Sequence, residues 1–549
     1  MSYIVLKFIF FCSIFILIIQ ANIVVEIENG KILGEILFDY DNEKFYGFQS
    51  IPYAEPPINE LRFKAPRRAK SWNGILNGTI PPPICPQFYY EDLVGQEDCL
   101  YLNVYTKSID KKSKQPVMVY IHGGGYFVGS GNSLSYSPEF LMTEDIVLVT
   151  VDYRLGYLGA LSFEDQTQGV PGNAHLKDQV MALEWIRDNI EHFGGDPNLV
   201  TIFGESVGGA SVHMLMLSPM SKGLVHRVIA QSGCALNTWN RGNLGTGSKI
   251  AEIFGIEDNS TADIIKKLQQ IPMEEFVTKT QSSGELGVRV DIPGDFSPVI
   301  ETQTNEPAFI PKPIIEMISE ASNNVPLMLG HNNNDTLIFQ VQRRLYTGAA
   351  FIFEDLNETI PSDLDLSNEE RLDLLASIED TFFENEQINL STNIGAISEY
   401  GLGPWFVTGY LQSIQQHLAA NHNVYLYKFS SDTILNFFRR MHPVTATYQG
   451  ACHMDELGYL FRTPYAPCFK RDSLEERSFR QAVKVWTNFA RYGKPASKED
   501  AFESIKITDS NDIAYINIIN DKVVNGNEPN KKVWDFWRNV YQTYKRVSN

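Results

Sequence analysis

The chain alternates short β-branched apolar runs with stretches of helical period. Six runs read as strands: PVMVYIH (Pro116 to His122), IVLVTVD (Ile146 to Asp152), LVTIF (Leu199 to Phe203), HRVIAQ (His226 to Gln231), VPLML (Val325 to Leu329) and NVYLYKF (Asn423 to Phe429). Several are apolar on both faces, the pattern of strands covered by helices on either side. Leu176, Val180, Leu183, Ile186, Ile190 and Phe193 recur at spacings of three and four, which marks one amphipathic helix. The alternation predicts an α/β fold with a mostly parallel sheet. Two segments, Asn237 to Asn323 and Ala349 to Tyr400, are instead mainly acidic and helix-rich, without obvious buried strands. In a parallel sheet such excursions sit beyond the strand ends, where ligands bind, so they are expected to wall a pocket.

The first 21 residues carry one lysine (Lys7), an apolar run from Phe8 to Ile19 and a small residue, Ala21. That order is a secretory signal pattern with cleavage expected after Ala21. The run is shorter than the about 20 residues a spanning helix needs. The terminal VYQTYKRVSN has neither an apolar tail nor a retention tetrapeptide, so a secreted, extracellular protein without a stable membrane anchor is expected. Secretion makes the sequons at Asn77, Asn259, Asn357 and Asn389 candidate glycosylation sites. Asn334-Asp335-Thr336 is also a sequon, but it falls in the candidate active site, where a glycan is not expected. Cys12 leaves with the signal, and Cys85, Cys99, Cys234, Cys452 and Cys468 remain, an odd count that leaves at least one thiol unpaired or intermolecular. A bridge between Cys85 and Cys99 would close a short loop and stabilise the fold by about 3 kcal/mol.

With 549 residues, 43% hydrophobic and 20% charged, the chain is long enough for roughly three or four average domains, or for one α/β unit with insertions. A formal net charge of -20 argues against nucleic acid or an anionic membrane surface as partner and leaves neutral or cationic small molecules. No H-E-x-x-H or paired C-x-x-C occurs, so neither a metal nor another cofactor is expected.

The chemistry concentrates in FGESVGG, Phe203 to Gly209. Gly204-Glu205-Ser206-Val207-Gly208 satisfies G-x-S-x-G between a predicted strand and a helix-compatible run, where a sharp turn presents the serine hydroxyl at the sheet edge. A phosphate loop would need lysine where Ala210 stands. A second glycine-rich element, YIHGGGYF (Tyr120 to Phe127), follows another strand, and its bare backbone N–H groups suit a developing oxyanion. In the order Ser, acid, His, the base falls on His417, His422, His442 or His453; polar surroundings place His417 and His422 on the surface.

FQSIPYAEPP, EDCLYLNVY, YIHGGGYFVGSG, VDYRLGYLGALS, the run from GNAHLKDQ to GESVGGASV, and GACHMDELGYLF together resemble the type-B carboxylesterase and cholinesterase family of α/β-hydrolases, from about Val24 to Tyr544. The resemblance implies one hydrolase domain over residues 22–549 after a signal at 1–21. It implies Ser206 as nucleophile, His453 as base, and the N–H groups of Gly124, Gly125 and Val207 as oxyanion donors. It also implies a Cys85–Cys99 disulfide. The acid falls on Asp335 in GHNNNDT, where the family usually has glutamate followed by glycine; aspartate is one methylene shorter, so its loop must come closer to His453. Glu205 resembles the family's buried glutamate beside the nucleophile, a residue that tunes the field. Val207 stands where alanine is usual and should narrow the site. His175 stands where glycine is usual, and the sequence gives it no role. The expected activity is hydrolysis of a small-molecule carboxylic ester through an acyl-serine intermediate. The alternative is a catalytically weak or inactive relative that binds, sequesters or adheres. GESVG differs from the GQSAG typical of juvenile-hormone esterases, and no cholinesterase aromatic gorge can be assembled from the sequence, which lowers both options.

Overall fold

All six strands expected from the apolar runs form, and they lie side by side. The computed structural model describes residues 23–89, 92–258, 260–281, 296–339, 356–384, 393–464 and 466–544. The expected signal segment and the sequons at Asn259 and Asn389 lie outside the described residues. In chain order the strands of the main sheet are β1 (Ile23–Ile27), β2 (Gly30–Phe38), β3 (Lys44–Pro52), β4 (Tyr101–Thr106), β5 (Gln115–Ile121), β6 (Val147–Val151), β7 (Gly195–Glu205), β8 (Arg227–Gln231), β9 (Leu327–Asn332), β10 (Val424–Phe429), β11 (Ala514–Ile519) and β12 (Lys522–Asn527). They are ordered β1-β2-β3-β4-β6-β5-β7-β8-β9-β10-β11-β12, with a short strand at Ile75–Asn77 pairing β2. From β6 to β11 every neighbouring pair is parallel. The first four strands form an antiparallel meander, and β12 closes the other edge antiparallel to β11.

The apolar runs are continuous because each strand feeds two cores. On β5, Val117, Val119 and Ile121 join one cluster with Leu176, Val180 and Leu183 of helix α1 (Ala174–Asn189) and Val212 and Leu215 of helix α2 (Val207–Leu217). Met118 and Tyr120 join the other, against Val483, Trp486 and Phe489 of the helix Leu474–Tyr492. Each such side chain contributes about 1.5–3 kcal/mol on burial. The first long insertion is tied to α1 by a buried ion pair, Lys177 Nζ to Glu301 Oε2 at 2.6 Å. Glu301 Oε1 also accepts from Asn173 Nδ2 at 2.7 Å. No strand forms among the described residues of either insertion.

The Cys85–Cys99 disulfide is formed, Cys234 and Cys452 are buried thiols, and Cys468 is exposed. Asn77 is exposed on the short strand, and its Oδ1 accepts from Thr79 Oγ1 at 2.8 Å. Asn357 is half-buried and accepts from Arg371 Nη1 at 3.1 Å.

The surface assignment of His417 and His422 is wrong: both are buried, in a chain with His213. Ala235 N donates to His213 Nδ1 at 3.2 Å, so the His213 proton sits on Nε2 and is donated to His417 Nε2 at 2.8 Å. The His417 proton is therefore on Nδ1, donated to His422 Nδ1 at 2.7 Å. The polar residues around His417 in sequence hid a partner supplied by α2, far away along the chain. Burial, reinforced by the neighbouring imidazoles, pushes His213 down to about 3 and His417 well below the ordinary imidazole value; burial also lowers His422.

These three rings are neutral when folded and take up protons when unfolded below their ordinary pKa of about 6.5. Their contribution is therefore complete above about pH 6.5 and lost as pH falls towards the folded-state values. Thermal denaturation from pH 7 to pH 4 should show the midpoint falling, more shallowly in a His213→Gln variant, which has no imidazole to protonate on unfolding.

Candidate active site

Ser206 stands where β7 turns into α2, at φ 61°, ψ -126°. For a residue with a side chain that conformation costs on the order of 1–3 kcal/mol and persists only where its surroundings impose it. Here Ser206 N donates to the Gln231 carbonyl of β8 at 2.8 Å, and the Ser206 carbonyl accepts from Ala210 N at 3.0 Å as the first bond of α2. The glycines around it permit close approach: a Cβ on Gly208 would lie 2.2 Å from the Ile121 carbonyl oxygen, and one on Gly204 would lie 2.6 Å from Gly208. The helix start is pressed against the ends of β5 and β8, and the serine side chain is left partly exposed.

The loop after β5 lies across this turn. A Cβ on Gly123 would stand 3.0 Å from Ser206 Cβ and 2.7 Å from Glu205 Oε2. Gly124 and Gly125 take φ of 107° and 62°, and Tyr126 follows at 64°. The Gly124 carbonyl accepts from both Phe127 N and Val128 N at 3.0 Å, closing the turn. Among the described residues the N–H groups of Gly124, Gly125 and Val207 donate to no protein acceptor, so all three remain available to a ligand oxygen.

Asp335, fully buried just after β9, meets His453: Oδ1 to Nδ1 is 2.6 Å. Its Oδ2 accepts from Ser232 Oγ at 2.7 Å and from Asn332 N at 2.9 Å. The shorter aspartate suffices because the two loops are laced together. His453 N donates to the Asp335 carbonyl at 3.1 Å, Asn334 N to the Ala451 carbonyl at 3.0 Å, and Asn332 Nδ2 to the Cys452 carbonyl at 2.7 Å.

The other imidazole nitrogen faces Glu205, with Nε2 to Oε1 at 3.0 Å. The structure thus brings Asp335, His453 and Glu205 together beside Ser206. Among the described residues it forms no hydrogen bond between Ser206 Oγ and His453. Burial alone would lower the His453 pKa, but the Glu205 charge, the Asp335 hydrogen bond and the Asp335 charge overcome it and hold it well above the ordinary range. Burial raises Glu205 against the opposing pull of His453. Glu456, under the same loop, accepts from Gln231 Nε2 at 3.1 Å and from Asn332 Nδ2; burial and the Glu205 and Asp335 charges push it up to about 8.

Three groups escape sequence reasoning. Ser232 is one; its signal is a small polar residue before glycine at the carboxyl end of a parallel strand. Glu456 is the second. The third is an aromatic wall: Phe339 and Phe406 lie 4.8 and 5.7 Å from the His453 ring, and half-buried Trp405 lies 4.8 Å from Phe339. Trp405 and Phe406 sit on a π-helical turn, Gly403–Val407, between the helices Ile394–Leu402 and Thr408–Ala419. The Trp405 carbonyl accepts from Asn237 Nδ2 and Trp239 Nε1, both at 2.8 Å. Buried Val207 stands beside Ser206.

The family model described as "Carboxylesterase family" matches residues 21–537. Esterase FE4 of Myzus persicae is 32% identical over 495 residues, covering 86% of this chain and 84% of that protein. Juvenile hormone esterase of Tribolium castaneum is 32% identical over 495 residues, covering 85% and 83%. The crystal structure of juvenile hormone esterase from Manduca sexta superposes with a TM-score of 0.80 at 25% identity, over 95% of this chain and 100% of that one. The Geobacillus stearothermophilus carboxylesterase EST55 superposes with a TM-score of 0.74 at 26% identity, over 94% and 99%. The sheet order, the serine turn at the end of β7 and these matches agree: the chain has the α/β-hydrolase fold and belongs to the carboxylesterase family.

Proposed function

We propose that this protein is a secreted serine esterase that cleaves small carboxylic esters through an acyl-serine intermediate. The observation that carries the reading is the Asp335–His453 contact together with a positive-φ Ser206 that lies against a glycine loop, where the N–H groups of Gly124, Gly125 and Val207 have no protein acceptor among the described residues. Ser206 Oγ attacks the ester carbonyl carbon while His453 Nε2 takes its proton, and the N–H groups of Gly124, Gly125 and Val207 receive the oxyanion. His453 returns the proton to the departing alcohol, and water, activated in the same way, releases the acid. Asp335 fixes the proton on Nδ1, leaving Nε2 as the basic nitrogen. Nε2 must turn from Glu205 to Ser206 Oγ when substrate enters, a tightening common in loaded sites. Phe339, Trp405, Phe406 and Val207 favour a substrate with apolar flanks to its carbonyl. The mature chain, residues 22–549, acts as one domain after removal of residues 1–21. Asn77, Asn259, Asn357 and Asn389 are the candidate glycan sites, and no helix among the described residues is long and apolar enough to cross a membrane.

Ser206→Ala should lower kcat about a millionfold, and an organophosphate should label the folded wild type once per chain, at Ser206. Folded protein that resists labelling would return the binding or sequestering reading. Asp335→Asn should cost about 10⁴ in kcat by disturbing the imidazole tautomer. Asp335→Glu should not improve turnover, because the carboxylate is already within 2.6 Å of the ring and an extra methylene in this buried site costs about 1–3 kcal/mol.

The Glu205 charge raises the His453 pKa, and the base must be neutral to act, so the acid limb of kcat/KM should lie above the ordinary imidazole value. Glu205→Gln should move that limb to lower pH; an unmoved pH–rate profile would remove Glu205 from this role.

A further inference from the structure

His175, the residue left without a role by the sequence, lies against the loop that carries two of the three unused N–H groups. It is the second residue of α1 and is 1% exposed. Its Nδ1 lies 2.8 Å from the Gly159 carbonyl oxygen, which can only accept, so Nδ1 carries the proton. Burial, opposed by that hydrogen bond and aided by the Arg154 charge, lowers the ring to about 4 and keeps it neutral under working conditions. The ring meets Tyr126 edge to face, with centroids 4.8 Å apart and planes at 70°.

Tyr126 directly follows Gly124 and Gly125 and shares their positive φ, a conformation that a tyrosine adopts only when held. Its carbonyl accepts from Gly156 N at 2.7 Å. Its phenol donates to Asn240 Oδ1 at 3.0 Å and accepts from Ser211 Oγ of α2 at 3.3 Å. Gly156 and Gly159 belong to one short helix, Gly156–Ala160. The backbone bond to Tyr126 and the ring bond from His175 therefore anchor on the same turn, and the His175–Tyr126 contact closes the circuit. A glycine at position 175 would leave the tyrosine ring without this contact.

We infer that His175 is a positioning residue: its ring fixes Tyr126 and thereby aims the N–H groups of Gly124 and Gly125 at the oxyanion. The inference rests on the acyl-serine reading. In that mechanism the oxyanion exists only after attack, so loss of aim should lower kcat and leave ester binding nearly unchanged.

The test compares wild type with His175→Gly, which restores the residue usual in the resembled family, and His175→Asn, whose amide can donate to the Gly159 carbonyl but offers no ring. A p-nitrophenyl ester gives kcat and KM per titrated site. A trifluoromethyl ketone, to whose carbonyl carbon the serine oxygen adds to leave a bound oxyanion, reports the aim directly. Thermal midpoints separate folding from function. Both variants should lose about two- to tenfold in kcat, the scale of one aromatic contact, with KM within about twofold and ketone affinity weakened by the same factor as kcat. Wild-type kcat and ketone affinity in folded His175→Asn, or a change confined to KM, would overturn the inference. Ser206→Ala is run alongside. If it kept full turnover, the acyl-serine reading would fall and this inference with it; if it is inactive while the His175 variants match wild type, only this inference falls.

Discussion

An imidazole buried between two carboxylates is the contact on which the site depends. Removing a charge from water costs several kcal/mol, so each member survives in ionised form only through its partners. The two carboxylates are supported unequally. Asp335 has Ser232 Oγ and Asn332 N in addition to the ring, so its charge is solvated whatever His453 does. Glu205 is fully buried, and among the described residues no hydrogen-bond donor other than the ring approaches either of its oxygens. Its charge and the ring proton therefore titrate as one unit. Glu205 favours the protonated ring, whereas the general base of the proposed mechanism must be neutral; the site sets a resting charge distribution against the one that mechanism needs.

The serine turn is the backbone counterpart of that tension. Ser206 occupies a conformation that L-residues avoid, and three separate contacts leave it no alternative: the bond to Gln231, the first bond of α2, and the near-collision of Gly204 and Gly208 with the end of β5. Any side chain at Gly208 would meet the Ile121 carbonyl. The close packing that presents the hydroxyl is the reason glycines surround it, and it makes the elbow a property of the parallel sheet and not of the loop alone.

How much of this was legible in the sequence follows from the physics of each part. The parallel strands were legible because burial on both faces leaves an unbroken apolar run, and Val117 to Ile121 feeds two cores in alternation. Strands β1, β2 and β12 were not, because they are partly exposed and their apolar residues are diluted by polar ones, and β4 was not, because buried Asn103 and Thr106 interrupt its apolar run. Ser206, Gly124 and Gly125 stood out because glycine around one hydroxyl is locally unusual. Ser232 did not, because its importance lies in a contact with Asp335, 103 residues away. His417 and His422 failed for the same reason: their burial depends on His213, which nothing local reveals.

The asparagine run before Asp335 shows how tertiary contacts can convert a weak sequence signal into a constraint. Asn332, Asn333 and Asn334 read locally as turn formers, yet all three side chains are spent on the loop of His453. Asn332 Nδ2 reaches the Cys452 carbonyl, Asn333 Oδ1 accepts from Ala451 N at 2.8 Å, and Asn334 Nδ2 donates to the Gln449 carbonyl at 2.6 Å. This lacing holds the acid loop against the loop of His453, so that the shorter aspartate reaches the ring at 2.6 Å. It also bears on the sequon at Asn334: its amide is committed, and the hydroxyl of Thr336 is buried against the Ser398 carbonyl at 2.6 Å. A glycan at Asn334 would leave one N–H for the Gln449 carbonyl but would need room beside the contacts that set the Asp335–His453 distance, which is the structural reason not to expect one there.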